Sequence, residues 1–176
     1  MSCRRLVTCV IAVAAAGPVL AGKAHEHGSA RLDIAVAADR VHIALETPLD
    51  NLLGFERAPR SDAERQRADA AVVLLRAADR LFRIDPAAGC TLARVELVSA
   101  SLQLGSAGDT PAAADHADLE GRYDFVCSHG ARAGFVELGL FEAFKALSRV
   151  EVQAVTPKGQ MKATLRRPAS RLALVR

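Results

Sequence analysis

The sequence has few aromatic residues and lacks the motifs of the common enzyme classes. Aromatic residues make up 4% of the 176 positions and tryptophan is absent, so a sugar-binding site built on stacked rings is not indicated. The chain contains no His-Glu-x-x-His, no phosphate-cradling glycine loop and no dinucleotide fingerprint. Ser128 and His129 are adjacent, but no nucleophile elbow or ordered triad accompanies them. We therefore expect a protein that is not an enzyme.

An apolar run long enough to span a bilayer is also missing from the N-terminal region. The apolar stretch at residues 6–16 is too short to cross a membrane. It follows the positively charged residues 1–5 and is broken by Gly17-Pro18, and small residues then offer cleavage after Ala21 or Ala24. This pattern is typical of a secretory signal peptide and not of a membrane anchor.

We accordingly predict a signal peptide at residues 1–24 and a single exported domain at residues 25–176. The formal net charge of +3 falls to +1 on cleavage after Ala21, and to 0 on cleavage after Ala24. Because at most one net positive charge remains, neither nucleic acid nor an anionic membrane is an expected partner.

Cysteine is scarce, and its positions fit export. Cys3 and Cys9 lie in the predicted signal peptide, which leaves Cys90 and Cys127 in the mature chain. Two cysteines in an exported domain are expected to form a disulfide. The alternative is a metal-binding pair, with His129 two residues after Cys127, but neither cysteine has a partner in Cys-x-x-Cys spacing.

Two of the five histidines lie directly after the predicted signal peptide, in His25-Glu26-His27-Gly28. In an extended segment alternate side chains point the same way, so His25 and His27 can approach one cation with Glu26 on the opposite face. Imidazole suits zinc, copper, iron and nickel, and two ligands are half of a tetrahedral zinc shell. The plain alternative is a flexible polar start without a ligand.

The cleavage site changes the metal chemistry of this motif. Cleavage after Ala24 leaves a free amine on His25 and makes His27 the third residue. The amine, two deprotonated backbone amides and the His27 imidazole then offer a square-planar nitrogen set, which favours Cu(II) or Ni(II). Cleavage after Ala21 removes that geometry, and both sites remain open.

Hydrophobic periodicity predicts an α+β fold with an antiparallel sheet built of hairpins, one long helix, one short helix and a single disulfide. A capping box at Ser61 and Glu64 opens the long helix, which is expected to end near Leu81. His42 is expected to be a solvated residue on a strand. The other predicted elements are strands at residues 30–36, 41–47, 90–104, 119–127, 135–140, 149–156 and 160–166, and a short helix at residues 141–147.

Several stretches together resemble the ZrgA-like family of periplasmic zinc-uptake proteins. The two most specific are the stretch that ends in Asn51-Leu52-Leu53-Gly54-Phe55-Glu56 and the closing hairpin. The matching residues are 25–28, 47–56, 88–90, 123–127 and 152–160. The resemblance implies Zn²⁺ binding in the periplasm, in support of high-affinity zinc import by an ABC transporter or its periplasmic binding protein. It implies no catalysis.

The chain departs from this family's pattern between the two cysteine strands. The family typically carries a long loop rich in His, Asp and Glu there, whereas this chain has residues 105–117, with a single His116. We predict a zinc site formed by His25, His27, His116, Asp115 and Asp118, with Glu26 and His129 as weaker candidates. The alternative function is an exported interaction module without metal, in which residues 51–56 contact a protein partner.

Overall fold

The computed structural model describes residues 26–105 and 117–174, and two sheets dominate that part of the chain. The strands are β1 (Ser29–Val36), β2 (Arg40–Pro48), β3 (Phe82–Ile84), β4 (Cys90–Val98), β5 (Asp118–Cys127), β6 (Phe135–Leu138), β7 (Arg149–Thr156), β8 (Gly159–Arg166) and β9 (Arg171–Ala173). The helices are α1 (Asp50–Leu53), α2 (Asp62–Arg76), α3 (Ala78–Leu81) and α4 (Leu140–Ala143). Short 3-10 turns occupy Pro86–Ala88, Ala100–Leu102 and Gly130–Arg132. Within the described ranges no helix is both long and apolar enough to cross a membrane.

The larger sheet has six strands in the order β4-β5-β2-β1-β7-β8, and the smaller sheet has the order β3-β6-β9. The predicted hairpins β1-β2 and β7-β8 are both present. The larger sheet is nevertheless mixed, because β1 and β7 run parallel, with Leu32 opposite Val152. A purely antiparallel sheet was the wrong expectation. Alternation of apolar and polar residues fixes which face of a strand is buried, but it does not encode the direction of the neighbouring strand.

One face of the larger sheet forms the core, and the other faces solvent. Leu32, Ile43 and Tyr123 are fully buried on the inner face. The Phe82 ring, at the start of β3, meets the Tyr123 ring edge-on with 4.8 Å between the ring centroids. Helix α2 buries Ala68, Ala71 and Leu75 in the same apolar core.

The long helix begins where the capping box predicts, because the Ser61 hydroxyl accepts a hydrogen bond from the Glu64 amide at 3.2 Å. It ends at Arg76, earlier than expected. Ala77 leaves the helical conformation, α3 adds one turn, and Phe82 then enters β3. Buried Ala78, Leu81 and Phe82 fit a helical spacing, so periodicity alone extends the helix across this break.

Two other predicted elements are shorter than expected. Strand β4 ends at Val98 and not at residue 104, because the chain turns at Ala100–Leu102 and Ser99 pairs back with Leu104. Helix α4 is a single turn, since Phe144 already has an extended backbone. The small sheet was not predicted as a unit, since two of its strands have only three residues.

The predicted disulfide is confirmed. Cys90 and Cys127 lie directly opposite each other on β4 and β5, and their sulfurs are bonded. The bridge ties the edge strand β4 to the sheet and removes both thiolates from the candidate metal ligands.

Replacing both cysteines by serine (Cys90→Ser with Cys127→Ser) is expected to destabilise the fold. The bridge links residues 37 positions apart, and restricting a loop of that length in the unfolded chain contributes about 4 kcal/mol. Urea denaturation should show this loss. A reductant should lower the stability of the wild type by a similar amount and leave the variant unchanged. A loss below about 1 kcal/mol would contradict the assigned role of the bridge.

The substitution Tyr123→Phe is expected to leave stability unchanged or to raise it by about 1 kcal/mol. Within the described residues the Tyr123 hydroxyl is buried without a hydrogen-bond partner, and burial raises the pKa of this phenol. Removing the hydroxyl therefore removes a desolvation cost and keeps the ring contact with Phe82. Phe82→Leu is the control and should destabilise in the same urea measurement. A marked loss of stability in Tyr123→Phe would reveal a partner for the hydroxyl.

Candidate metal centre

The segment that follows the predicted signal peptide is held against the start of β7. The carbonyl oxygen of Gly28 accepts hydrogen bonds from the amides of Ser148 and Arg149, at 2.8 and 2.9 Å. The Ser148 hydroxyl donates to the same oxygen at 3.0 Å. Gly28 has a φ of +77°, and a Cβ at this position would lie 2.9 Å from the Ser148 hydroxyl oxygen. The chain therefore needs glycine here, both for the backbone conformation and for the close approach.

A buried amide on α1 holds the same segment from its other side. Asn51 is only 2% exposed. Its Oδ1 accepts from the Gly28 amide at 2.6 Å, and its Nδ2 donates to the Ser29 carbonyl at 2.8 Å and to the Thr47 hydroxyl at 3.1 Å. Because these bonds hold main-chain atoms of two successive residues, Gly28 and Ser29, they fix the backbone directly after His27.

His27 is paired with the residue that precedes Asn51. Its Nδ1 lies 2.7 Å from Oδ2 of Asp50, and the two side chains are 66% and 31% exposed. When the imidazole is neutral, Nδ1 donates its hydrogen to the carboxylate and Nε2 keeps its lone pair. Histidines that bind metal through one nitrogen are commonly oriented in this way through the other.

Negative charge surrounds the His27 imidazole. The hydrogen bond that His27 donates to Asp50, then the charge of Asp50 and the charge of Glu56, raise the pKa of His27 above its ordinary value. Glu26 forms an ion pair with Arg149. The site thus favours a cation, whether a proton or a metal ion.

His42 forms a second pair of the same geometry in a different environment. Its Nδ1 lies 2.7 Å from Oδ1 of Asp124, directly across the β2-β5 ladder. The expectation that His42 is merely solvated was therefore incomplete. Arg40 and Arg94 lie near Asp124, and each forms its own ion pair, Arg40 with Asp39 and Arg94 with Glu96. The His42 pair lies near the start of β2, at the opposite end of that strand from α1 and His27.

The structure places only some of the predicted ligands. His25, Asp115 and His116 lie outside the described residues. Asp118 begins β5 opposite Pro48, and the carbonyl of Ala117 accepts from the Leu49 amide at 2.8 Å. Strand register therefore brings the start of β5 to the end of the sheet where β1 starts and β2 ends, close to α1.

The described residues alone do not assemble a complete metal shell. Within residues 26–105 and 117–174, no group of three or more His, Cys, Asp or Glu side chains is arranged to hold a metal ion. His129 follows the far end of β5, so it lies at the opposite end of the sheet from His27 and shares no site with it.

Asp50 and Asn51 were not predicted as site residues. Both lie in the Pro48-Leu49-Asp50-Asn51 stretch, whose apolar residues indicated packing against the sheet. No local spacing links them to His27, since the contact joins residues 23 positions apart. Two signals were available: both residues lie in the stretch 47–56 that carries the family resemblance, and they place a carboxylate next to an amide in a largely apolar connection.

A comparison with protein families supplies the decisive match for this chain. The model of the ZrgA family of zinc uptake proteins matches residues 24–174. The chain belongs to this family. The ZrgA match runs from the residue before His25 to the end of the small sheet, so the resemblance read from the sequence is confirmed. No curated protein matches the sequence.

The substitution Asp50→Asn is expected to lower the pKa of His27 toward its ordinary value, because the largest causes of the raised pKa both come from Asp50. An NMR titration of the His27 ring resonances measures the change. Glu56→Gln is the matched control and should lower the pKa less, since Glu56 acts through its charge alone.

The sign of the linked stability change follows from the direction of the shift. The pair stabilises the folded state fully below the pKa of His27 in the unfolded chain, and this contribution is lost as pH rises through the raised folded-state value. An unchanged His27 pKa in Asp50→Asn would show that the pair does not form in solution.

Proposed function

We propose that this ZrgA-family protein binds Zn²⁺ in the periplasm and supports high-affinity zinc acquisition. Membership of a zinc uptake family supports a zinc-related role. The signal-like residues 1–24 and the Cys90–Cys127 bridge support an oxidising compartment outside the cytoplasm. Zinc is cargo in this proposal, and the protein carries out no reaction on it. The partner that receives the ion is a zinc ABC transporter or its periplasmic binding protein.

The observation that carries the proposal is the 2.7 Å contact between Nδ1 of His27 and the Asp50 carboxylate. It orients the imidazole with Nε2 as the free donor, and zinc binds imidazole nitrogen at about 2.0–2.1 Å. The carboxylates of Asp50 and Glu56 also offset part of the charge of the incoming ion. His27 is therefore the anchoring ligand of the proposed site.

Zinc needs further ligands to complete its shell. His25 lies two residues before His27 in the sequence. Asp118 starts β5 at the same end of the sheet as His27, and Asp115 and His116 precede it in the sequence. We keep these four as the remaining candidate ligands on the basis of the sequence.

The substitution His27→Ala is expected to weaken zinc binding at least about tenfold, because it removes the anchoring ligand. Isothermal titration of the mature protein with a zinc salt measures the affinity, and the wild type should bind more tightly than micromolar. The backbone grip on Gly28 and Ser29 involves no atom of the His27 side chain, so the variant should remain folded.

His42→Ala provides the matched control, since it breaks a pair of the same length near the other end of β2, away from His27 and α1. It should leave the zinc affinity unchanged. If His42→Ala and His27→Ala weaken binding equally, zinc is held nonspecifically by surface imidazoles. A folded wild-type protein that binds no zinc would refute the proposed function.

A further inference from the structure

The two ring nitrogens of His27 suit different metals. In a mature chain that begins at His25, a Cu(II) or Ni(II) ion can bind the terminal amine, the amide nitrogens of Glu26 and His27, and the His27 imidazole. The last chelate ring runs from the His27 amide nitrogen through Cα, Cβ and Cγ to Nδ1, and the metal closes it as a six-membered ring. Nε2 is too far around the imidazole to close that ring. The square-planar site therefore requires Nδ1.

In the folded protein that nitrogen already has a hydrogen-bond partner. Nδ1 of His27 is bonded to Asp50, which is on α1 and is itself only partly exposed. The adjoining backbone is also committed, because the Glu26 carbonyl accepts from the Ser29 amide at 3.1 Å and the Glu26 carboxylate is held by Arg149. A planar chelate has to displace the Asp50 contact and reshape a segment that is fixed from two sides.

We propose that Asp50 is a specificity-determining residue, which directs His27 toward metals that bind Nε2, such as Zn²⁺, and withholds Nδ1 from an N-terminal Cu(II) or Ni(II) chelate. The zinc half of this inference rests on the proposed function, whereas the copper half rests on the Nδ1 contact alone. The same carboxylate thus favours one metal and disfavours the other through a single hydrogen bond.

This proposal predicts that removing Asp50 changes the Zn²⁺ and Cu(II) affinities in opposite directions. A purely electrostatic role predicts that both change in the same direction. If Asp50 acted only as a nearby negative charge, its removal would lower the affinity of the site for every divalent cation. If Asp50 acts through Nδ1, its removal lowers the zinc affinity by about 10- to 100-fold, as for other residues that orient a metal-binding histidine. The same removal strengthens Cu(II) by about tenfold, since a hydrogen bond to a charged group no longer competes with the chelate.

The test compares the mature chain that begins at His25 with its Asp50→Ala variant. Competition against a chelator of known affinity measures Zn²⁺ and Cu(II) binding separately, and the visible absorption of Cu(II) reports the square-planar nitrogen set. We expect weaker zinc binding and stronger Cu(II) binding in the variant. Asp50→Asn, which keeps an acceptor oxygen without the charge, should fall between the two.

Two controls isolate the chelate and the pair. A mature chain that begins at Gly22 has no amine at His25, so Asp50→Ala should leave its Cu(II) affinity unimproved. Asp124→Ala breaks the His42 pair and should change the affinity for neither Zn²⁺ nor Cu(II). The proposal is overturned if Asp50→Ala weakens both metals alike, or if Cu(II) affinity stays the same in the chain that begins at His25. Absence of zinc binding in the wild type refutes the proposed function instead, while the copper measurement still decides whether Nδ1 is withheld.

Discussion

The buried amide of Asn51 is the constraint on which the candidate metal centre depends. Its hydrogen bonds to Gly28 and Ser29 convert the stretch behind the predicted signal peptide from a free tail into a fixed part of the fold. The amide is satisfied on both its oxygen and its nitrogen, so its burial carries no unpaired polar group. With the backbone fixed, the neighbouring Asp50 can meet the imidazole of His27, and an otherwise ordinary histidine acquires a defined orientation.

The larger sheet explains why this constraint forms at one place. β1, β2 and β5 are aligned so that the start of the first, the end of the second and the start of the third meet at one end of the sheet. Helix α1 follows β2 directly, so Asp50 and Asn51 lie at the entry of the chain into β1. The Cys90–Cys127 bridge joins β4 to the far end of β5. The domain thus separates a covalently braced end from an end that carries the candidate ligands.

The sequence predicted the parts of this architecture that are encoded locally. Alternation identified the strands near Leu32, Ile43 and Val152, and the capping box placed the start of α2. The disulfide followed from the number of cysteines and the predicted export. The parallel pairing of β1 with β7, the break at Ala77 and the Asp50–His27 contact were not predictable in this way. Each depends on which distant segments meet, and a period of two or 3.6 residues carries no information about that.

The main-chain hydrogen bonds of residues 26–29 also determine which substitutions position 27 can accept. Asn51, Ser148 and Arg149 hold main-chain atoms of Gly28 and Ser29, and none of those bonds depends on the residue at position 27. That position can therefore exchange its donor while the segment keeps its path. A thiolate introduced by His27→Cys would face the same solvent and the same carboxylates, and it would make the site attractive to softer ions. The fold fixes the backbone around position 27, and the side chain at that position sets which metal ions the site prefers.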